Sequence, residues 1–146
     1  MKILIFGLSG SGKTTLAKPF AELINGVHIN ADDIRTKHND WDFSIKGRHR
    51  QSLRMGHIAD GVVMAGKIAV LDFICPTAVT RDWVNADYTI WMDTVKESKY
   101  KDTDVIFQKP DLKEVNYHVN EWFDDTHTQL VDIIKTYMER NNASKS

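Results

Sequence analysis

Apolar residues fall along this chain in two rhythms, short unbroken runs and longer stretches with helical spacing. Ile3-Leu4-Ile5-Phe6, Ile68 to Phe73 and Tyr88 to Met92 are short runs rich in β-branched and aromatic residues. Such runs read as strands covered on both faces of a parallel sheet. Val27 to Asn30 reads as a further strand, and Val115 to Val119 alternates as a weaker fifth. Between the runs the period changes. Leu16, Phe20 and Leu23-Ile24 predict a helix from Thr14 to about Ile24, and the acidic pair Asp32-Asp33 predicts the start of another. Gly47 to Ala65 predicts a long helix with Leu53, His57 or Ile58, Gly61-Val62 and Ala65 on its packed face and Gly66 as its stop. Residues 93–111 are polar and irregular. Trp122, Phe123, Leu130, Val131, Ile134 and Met138 predict a last amphipathic helix that frays across residues 141–146.

Strands alternating with helices predict an α/β domain, an about five-stranded parallel sheet with helices on both faces and a ligand site at the carboxyl ends of its strands. The chemistry sits where that architecture asks for it. Directly behind the first run stands Gly7-Leu8-Ser9-Gly10-Ser11-Gly12-Lys13-Thr14, the G-x-x-x-x-G-K-[ST] pattern. Glycines let the backbone turn so that its N–H groups face a phosphate chain, and the following helix aims its positive end at the same anion. Lys13 is expected at the β and γ phosphates and the Thr14 hydroxyl at Mg²⁺, while Ser9, Ser11 and Thr15 serve the loop and the helix start. The expected fold is therefore the P-loop nucleoside triphosphate hydrolase fold, with ATP and Mg²⁺ as cofactors.

Composition narrows the picture. The chain has 146 residues, 42% hydrophobic and 27% charged, which predicts one domain over residues 1–146. Nineteen basic and twenty acidic residues give a net charge of -1, so small-molecule nucleotides rather than a nucleic acid are the expected partners. No apolar stretch approaches the ~20 residues needed to span a bilayer. Met1-Lys2 runs straight into the first strand, so no signal peptide is expected, and Cys75 is the single cysteine. A reducing cytoplasm is the expected home. Composition leaves the oligomeric state open, with a homodimer as the candidate.

A phosphate loop says nucleotide rather than reaction, and phosphoryl transfer also needs carboxylates near the metal and cations near the transferring group. Asp72 closes the buried third run and is expected to hold Mg²⁺ through water. Asp32, just past the second strand and one helical turn before Arg35, is the expected base.

Further motifs carry a family resemblance. Gly7 to Leu16-Ala17, Asn30-Ala31-Asp32-Asp33-Ile34-Arg35, Asn39, Phe43-Ser44, Arg48, Arg54-Met55-Gly56, Phe73-Ile74-Cys75-Pro76 and Arg81-Asp82 resemble the adenylylsulfate kinases, in the same order and over about the first 80 residues. The resemblance implies transfer of the γ-phosphoryl group of ATP to the 3′-hydroxyl of adenosine 5′-phosphosulfate. It implies that Asp32 takes the acceptor proton or orients Mg²⁺, and that Arg35, Asn39 and Arg48 hold the acceptor's ribose and sulfophosphate. Phe43 would stack on its adenine, Ile74 and Pro76 would form the opposite wall, and Phe107 would contact the base. Bidentate guanidinium forks and an aromatic face suit such an acceptor. The chain also departs from the pattern. Asn30 and Cys75 replace the family's Asp and Ser, and one residue is missing between Asn39 and Phe43. The lid, about residues 93–111, is short, with Lys96, Lys99, Lys101 and Lys109 as its only cations. A trimmed lid excludes water less well and can admit another acceptor.

Two other readings use the same residues. A P-loop kinase of a polynucleotide 5′-hydroxyl or a small metabolite would place Arg48, Arg50 and Arg54 on a phosphate backbone, and a non-catalytic regulator would bind ATP without acceptor specificity. The remaining features are expected to be structural: His57 and Asp60 as a surface pair, His28 as a packed or hydrogen-bonded strand residue, Cys75 as a small buried hydrophobe, and Trp41, Trp83, Trp91 and Trp122 as core or interface.

Overall fold

A computed structural model describes residues 1–122 and 125–145. Five parallel strands, β1 (Lys2–Phe6), β2 (Val27–Asn30), β3 (Ala69–Asp72), β4 (Tyr88–Met92) and β5 (Tyr117–Val119), form one sheet in the order β2-β3-β1-β4-β5. The P-loop strand is therefore central. The chain leaves β1 to build β2 and β3 on one side and then β4 and β5 on the other, which opens a crevice above the end of β1.

Both faces of the sheet are covered, which is why the strand runs are unbroken. Ile3 and Ile5 pack with Leu16, Phe20, Leu130 and Ile134, from α1 (Lys13–Leu23) and the C-terminal helix (Thr126–Lys145). Leu4 and Phe6 point the other way, into a core with Ile34, Met55, Ala59 and Val84. That second core is closed by α2 (Ala31–His38), α3 (Ile45–Met64) and α4 (Ala78–Val84). Strand side chains alternate by face, so one run serves two cores. Truncating the wholly buried Phe20 to Ala is worth about 3–5 kcal/mol.

Several expectations need correction. The packed face of α3 carries Gln51, Ser52, Met55 and Ala59, while Leu53 is 43% exposed and His57 is exposed. The polar pair is buried because it is satisfied: Gln51 donates to the Ala31 carbonyl at 3.0 Å and the Ser52 hydroxyl to the Arg48 carbonyl at 3.0 Å. Asp60 pairs with Lys2 at 2.9 Å rather than with His57. The α4 helix, unread in the sequence, starts at a reciprocal Thr77–Thr80 capping box. The polar segment 93–111 contains α5 (Lys101–Ile106), braced where Asp104 accepts from the Ser98 hydroxyl at 2.7 Å. The final helix, α6, begins at Thr126, so Trp122 precedes it, and Phe123 lies outside the described residues. It stays helical to Lys145 instead of fraying from Asn141, because neither Gly nor Pro interrupts it and each added residue closes another hydrogen bond. Among the described residues no helix is long and apolar enough to cross a membrane.

Candidate functional site

The loop after β1 is shaped for an anion. Gly7 lies so close to the Met92 carbonyl of β4 that a Cβ there would collide with it. Gly12 takes φ +94° and caps α1 with no side-chain hydrogen bond, so the first N–H groups of that helix face the crevice. The loop is braced from outside by the Thr94 hydroxyl, which donates to the Ser11 carbonyl at 2.7 Å, and from inside by Ser11 N–H, which donates to the Leu8 carbonyl at 3.2 Å. The Ser11 hydroxyl is buried without a protein partner. A buried hydroxyl without a partner calls for a ligand oxygen. Lys13 Nζ donates to the Leu8 carbonyl at 2.9 Å. Burial holds its ammonium below the ordinary value, with Asp72 and then Asp32 pulling the other way. Ser9 is half-buried in the loop, Gly10 lies at its exposed tip, and Thr15 is exposed on the first turn of α1.

Asp72, only 1% exposed, lies beside this loop at the end of β3. Its Oδ2 accepts from the Thr14 hydroxyl at 2.8 Å, Asn30 Nδ2 at 2.9 Å and His28 Nε2 at 3.0 Å. Burial is the largest influence and raises its pKa, but the three donors outweigh it and hold the carboxyl below the usual range. His28 is thus hydrogen-bonded, as its strand position suggested, and its bond ties it to the site. Asp32 sits exposed in the first turn of α2, where its charge reaches both Lys13 and Arg35. Among the described residues no cluster of three or more His, Cys, Asp or Glu could cage a metal ion. One buried carboxylate with a hydroxyl is instead the donor set of Mg²⁺ held partly by phosphates and water.

A second group gathers on α2, α3 and the loop between them. The guanidinium of Arg35 lies 4.5 Å from the ring centre of Phe43 and that of Arg48 lies 5.4 Å from it. Phe43 is 52% exposed while Arg35 is 5% exposed, so a buried cation supports an open aromatic face. Arg35 is fixed by the carbonyls of Asp40 at 2.9 Å and Asp42 at 3.3 Å. Arg48 reaches in two directions, from Nε to the Phe43 carbonyl at 2.8 Å and from Nη2 to the Thr103 hydroxyl of α5 at 3.0 Å. Burial lowers the pKa of both guanidiniums.

Other expected residues sit differently. Asn39 ends α2 in the left-handed region at φ +48°, where it serves as the helix C-cap, and its side chain is exposed. Ile74 is half-buried and Pro76 buried in the turn after β3. Phe107 stacks on Phe6 with centroids 6.4 Å apart, and Arg81 lies 4.5 Å over Phe6 and 5.4 Å over Phe107. Arg81 also binds the carbonyls of Cys75 and Pro76, each at 3.2 Å, and that of Gln108 at 2.5 Å. Phe107 is therefore held against Phe6 and Arg81, and α5, which it ends, reaches the group around Phe43 through the bond from Thr103 to Arg48. Cys75 is buried as expected, and burial pushes its thiol up to about 12.

The sequence hid the connectors. Thr103 and Asp40 carry no motif of their own, Arg81 stands in the resemblance without a role, and only a polar residue inside a strand, such as His28, gives a local signal. Asp40 neutralises the two remaining arginines of α3, with Arg50 at 2.8 Å and Arg54 at 3.0 Å. Trp122, expected in core or interface, is 38% exposed, with its ring 3.8 Å from where a Gly12 Cβ would stand.

Comparison with known proteins agrees with this geometry. Residues 1–115 match the model of the family described as Adenylylsulphate kinase. The adenylyl-sulfate kinase of Shewanella denitrificans is 36% identical over 88 residues, which are 55% of this chain and 42% of that protein. The match thus spans less than half of that relative's length. The APS kinase of Mycobacterium tuberculosis in complex with AMPPNP and APS superimposes with a TM-score of 0.77 over 92% of this chain and 96% of that one, at 20% identity. A gluconokinase from Sinorhizobium meliloti gives 0.69 over 99% and 97%, at 13% identity. The fold is therefore that of the small P-loop kinases.

Proposed function

Since the chain belongs to the adenylylsulphate kinase family, we propose that it transfers the γ-phosphoryl group of ATP to the 3′-hydroxyl of adenosine 5′-phosphosulfate. The observation that carries this reading is the open face of Phe43, flanked by the guanidiniums of Arg35 and Arg48, with the charge of Asp32 reaching both Arg35 and the Lys13 of the phosphate loop. A purine fits the aromatic face and an anionic sulfophosphate fits the two forks.

In this reading the loop amides, Ser11, Lys13 and the N-terminus of α1 hold the triphosphate. Thr14 and Asp72, with Asp32, would hold Mg²⁺, which would supply positive charge to the phosphates when bound. Asp32 accepts the proton of the acceptor hydroxyl as its oxygen bonds to the γ-phosphorus. The bond from that phosphorus to the β–γ bridging oxygen breaks, and ADP leaves. Lys13 stabilises the charge that gathers on the transferring group. Ile74 and Pro76 form the far wall, and Phe107 shapes it from behind by its stack on Phe6. Asn39 contributes the turn that presents Asp40 and Phe43.

The test is ADP release from ATP and Mg²⁺ with adenosine 5′-phosphosulfate, beside a 5′-hydroxyl oligonucleotide, gluconate and no acceptor. Release that requires the adenylylsulfate and yields its 3′-phosphate supports the proposal; turnover only with another acceptor overturns it. The pairing of Arg50 and Arg54 with Asp40 weighs against the polynucleotide reading, because those cations are already neutralised. The intact network around Lys13, Thr14 and Asp72 weighs against a silent regulator. A cytoplasmic location fits a chain whose single cysteine stays a buried thiol. A homodimer is the proposed assembly, with the exposed Leu53, Val79 and Trp83 on α3 and α4 as its contact surface, and light scattering tests it.

A further inference from the structure

Three donors from separate positions meet on one oxygen of Asp72: Thr14 from the phosphate loop, and His28 and Asn30 from β2. In the parallel register of β2 and β3, Asn30 stands opposite Asp72 and His28 opposite Val70. His28 and Asn30 are two residues apart on a strand, so their side chains leave the same face. The amide of Asn30 is held in one orientation. Its oxygen accepts from Asp33 N–H at 3.1 Å as the N-cap of α2, which turns its NH₂ toward Asp72 at 2.9 Å and the Thr14 oxygen at 3.3 Å. A flipped amide would set oxygen against carboxylate and lose the cap.

This arrangement settles where the Thr14 proton goes. A hydroxyl that donates to Asp72 keeps its lone pairs for a cation. If Asp72 turned away, Thr14 would lose that acceptor and present its O–H in other directions. The same network also keeps a buried carboxylate hydrogen-bonded, which a purely structural role would equally require.

We propose that His28 and Asn30 are positioning residues for the metal–ATP complex, holding Asp72 against Thr14, and that positions 30 and 72 are exchangeable across the strand pair. The exchange follows from the register. An Asp at position 30 would still accept from Asp33 N–H, and an Asn at position 72 would donate back across the pair. One negative charge would then move one strand over with the hydrogen bond reversed. The Thr14 hydroxyl would donate to the new carboxylate at position 30 across what is now a 3.3 Å contact, and His28 Nε2 would change from donor to acceptor toward the new amide at position 72. The proposal rests on the nucleotide and Mg²⁺ part of the proposed function and not on the acceptor.

Mn²⁺ binding to the full chain with AMPPNP, followed by electron paramagnetic resonance, tests it, alongside AMPPNP affinity without metal and a thermal melt for each variant. His28→Ala is expected to weaken Mn²⁺ roughly 10-fold or more while metal-free AMPPNP affinity stays within about 2-fold. His28→Gln, whose amide nitrogen takes the place of Nε2, is expected to recover most of that loss. Asp72→Asn alone loses the tight Mn²⁺ site, and the double variant Asn30→Asp, Asp72→Asn regains it to within about 5-fold. Unchanged Mn²⁺ affinity in His28→Ala overturns the positioning role, as does a His28→Gln variant no better than Ala. A double variant no better than Asp72→Asn overturns the exchange. Should His28→Ala not fold, His28→Gln and the double variant carry the test. A parent chain that binds no Mn²⁺ with AMPPNP overturns this inference together with the nucleotide part of the proposed function. The expected Mn²⁺ series without phosphorylation of adenylylsulfate upholds this inference and overturns only the acceptor.

Discussion

The two walls of the crevice are built on different principles. The phosphate side is local: eight consecutive residues, Gly7 to Thr14, supply the turn, the lysine and the hydroxyl, and most of its donors are backbone. The opposite side is assembled from distant pieces. Arg35 comes from α2, Phe43 from the loop after it, Arg48 from α3, Pro76 from the turn after β3 and Thr103 from α5. A backbone cradle loses its shape when one glycine gains a side chain. A wall of side chains loses contacts one at a time, so its failures should be graded and, on the proposed placement of the acceptor, confined to it.

That contrast orders the expected effects. The largest should follow Lys13→Ala, which removes the one cation of the phosphate loop and should cut turnover by at least ~100–1,000-fold; full activity in that variant would end the nucleotide assignment. Asp32→Asn should lower kcat by ~100-fold while ATP still binds, since it removes the proposed base and leaves the loop intact. An unchanged kcat would move that role to Asp72. Arg48→Ala should raise the acceptor KM by roughly 10-fold or more without altering ATP affinity, since hydrogen bonds to a charged group are worth about 1.5–3 kcal/mol. A change confined to ATP would reverse the placement of the two walls.

Thr103→Val should be milder, because it cuts only the bond from α5 to Arg48. The acceptor KM should rise by ~2–10-fold. An effect as large as that of Arg48→Ala would mean that the lid, rather than Phe43, fixes the guanidinium. The smallest effect concerns Cys75. Its thiol is pushed up to about 12 from the 9.0 of a free cysteine, so the native state favours the protonated form. Its contribution to stability is therefore complete below pH 9.0 and is lost as pH rises toward about 12. Denaturant melts across that range should fall less steeply for Cys75→Ala than for the parent, and equal slopes would assign the alkaline loss to other groups.

The same division governs what could be read in advance. β1, β3 and β4 were legible because burial on both faces makes a strand apolar at nearly every position, while the partly buried edge strands β2 and β5 showed only as a short β-branched segment and a weak alternation. The face of α3 was legible in part: Ile58 and Val62 do pack on the second core, but Leu53, more hydrophobic than Ser52, is exposed, while the Ser52 hydroxyl bonds within its own helix and becomes buriable. The α4 helix escaped because its seven residues are few and its start depends on two threonines bonding each other. Phe107 is expected at the acceptor base by its place in a motif, and the structure adds a stack on Phe6 beneath Arg81 that no local pattern announces.

By itself the sequence determined the alternation of strands and helices, the phosphate loop with Lys13 and Thr14, and the polar residues at the strand ends. Those properties belong to runs of neighbouring residues, whose period and turn chemistry act within a few ångströms along the chain. The tertiary structure alone decided the order of the strands, the meeting of Thr14, His28, Asn30 and Asp72 on one oxygen, and the capture of Arg50 and Arg54 by Asp40. Each of these is a pairing between separated segments, fixed by register and burial, and a one-dimensional pattern does not say which polar group will face which.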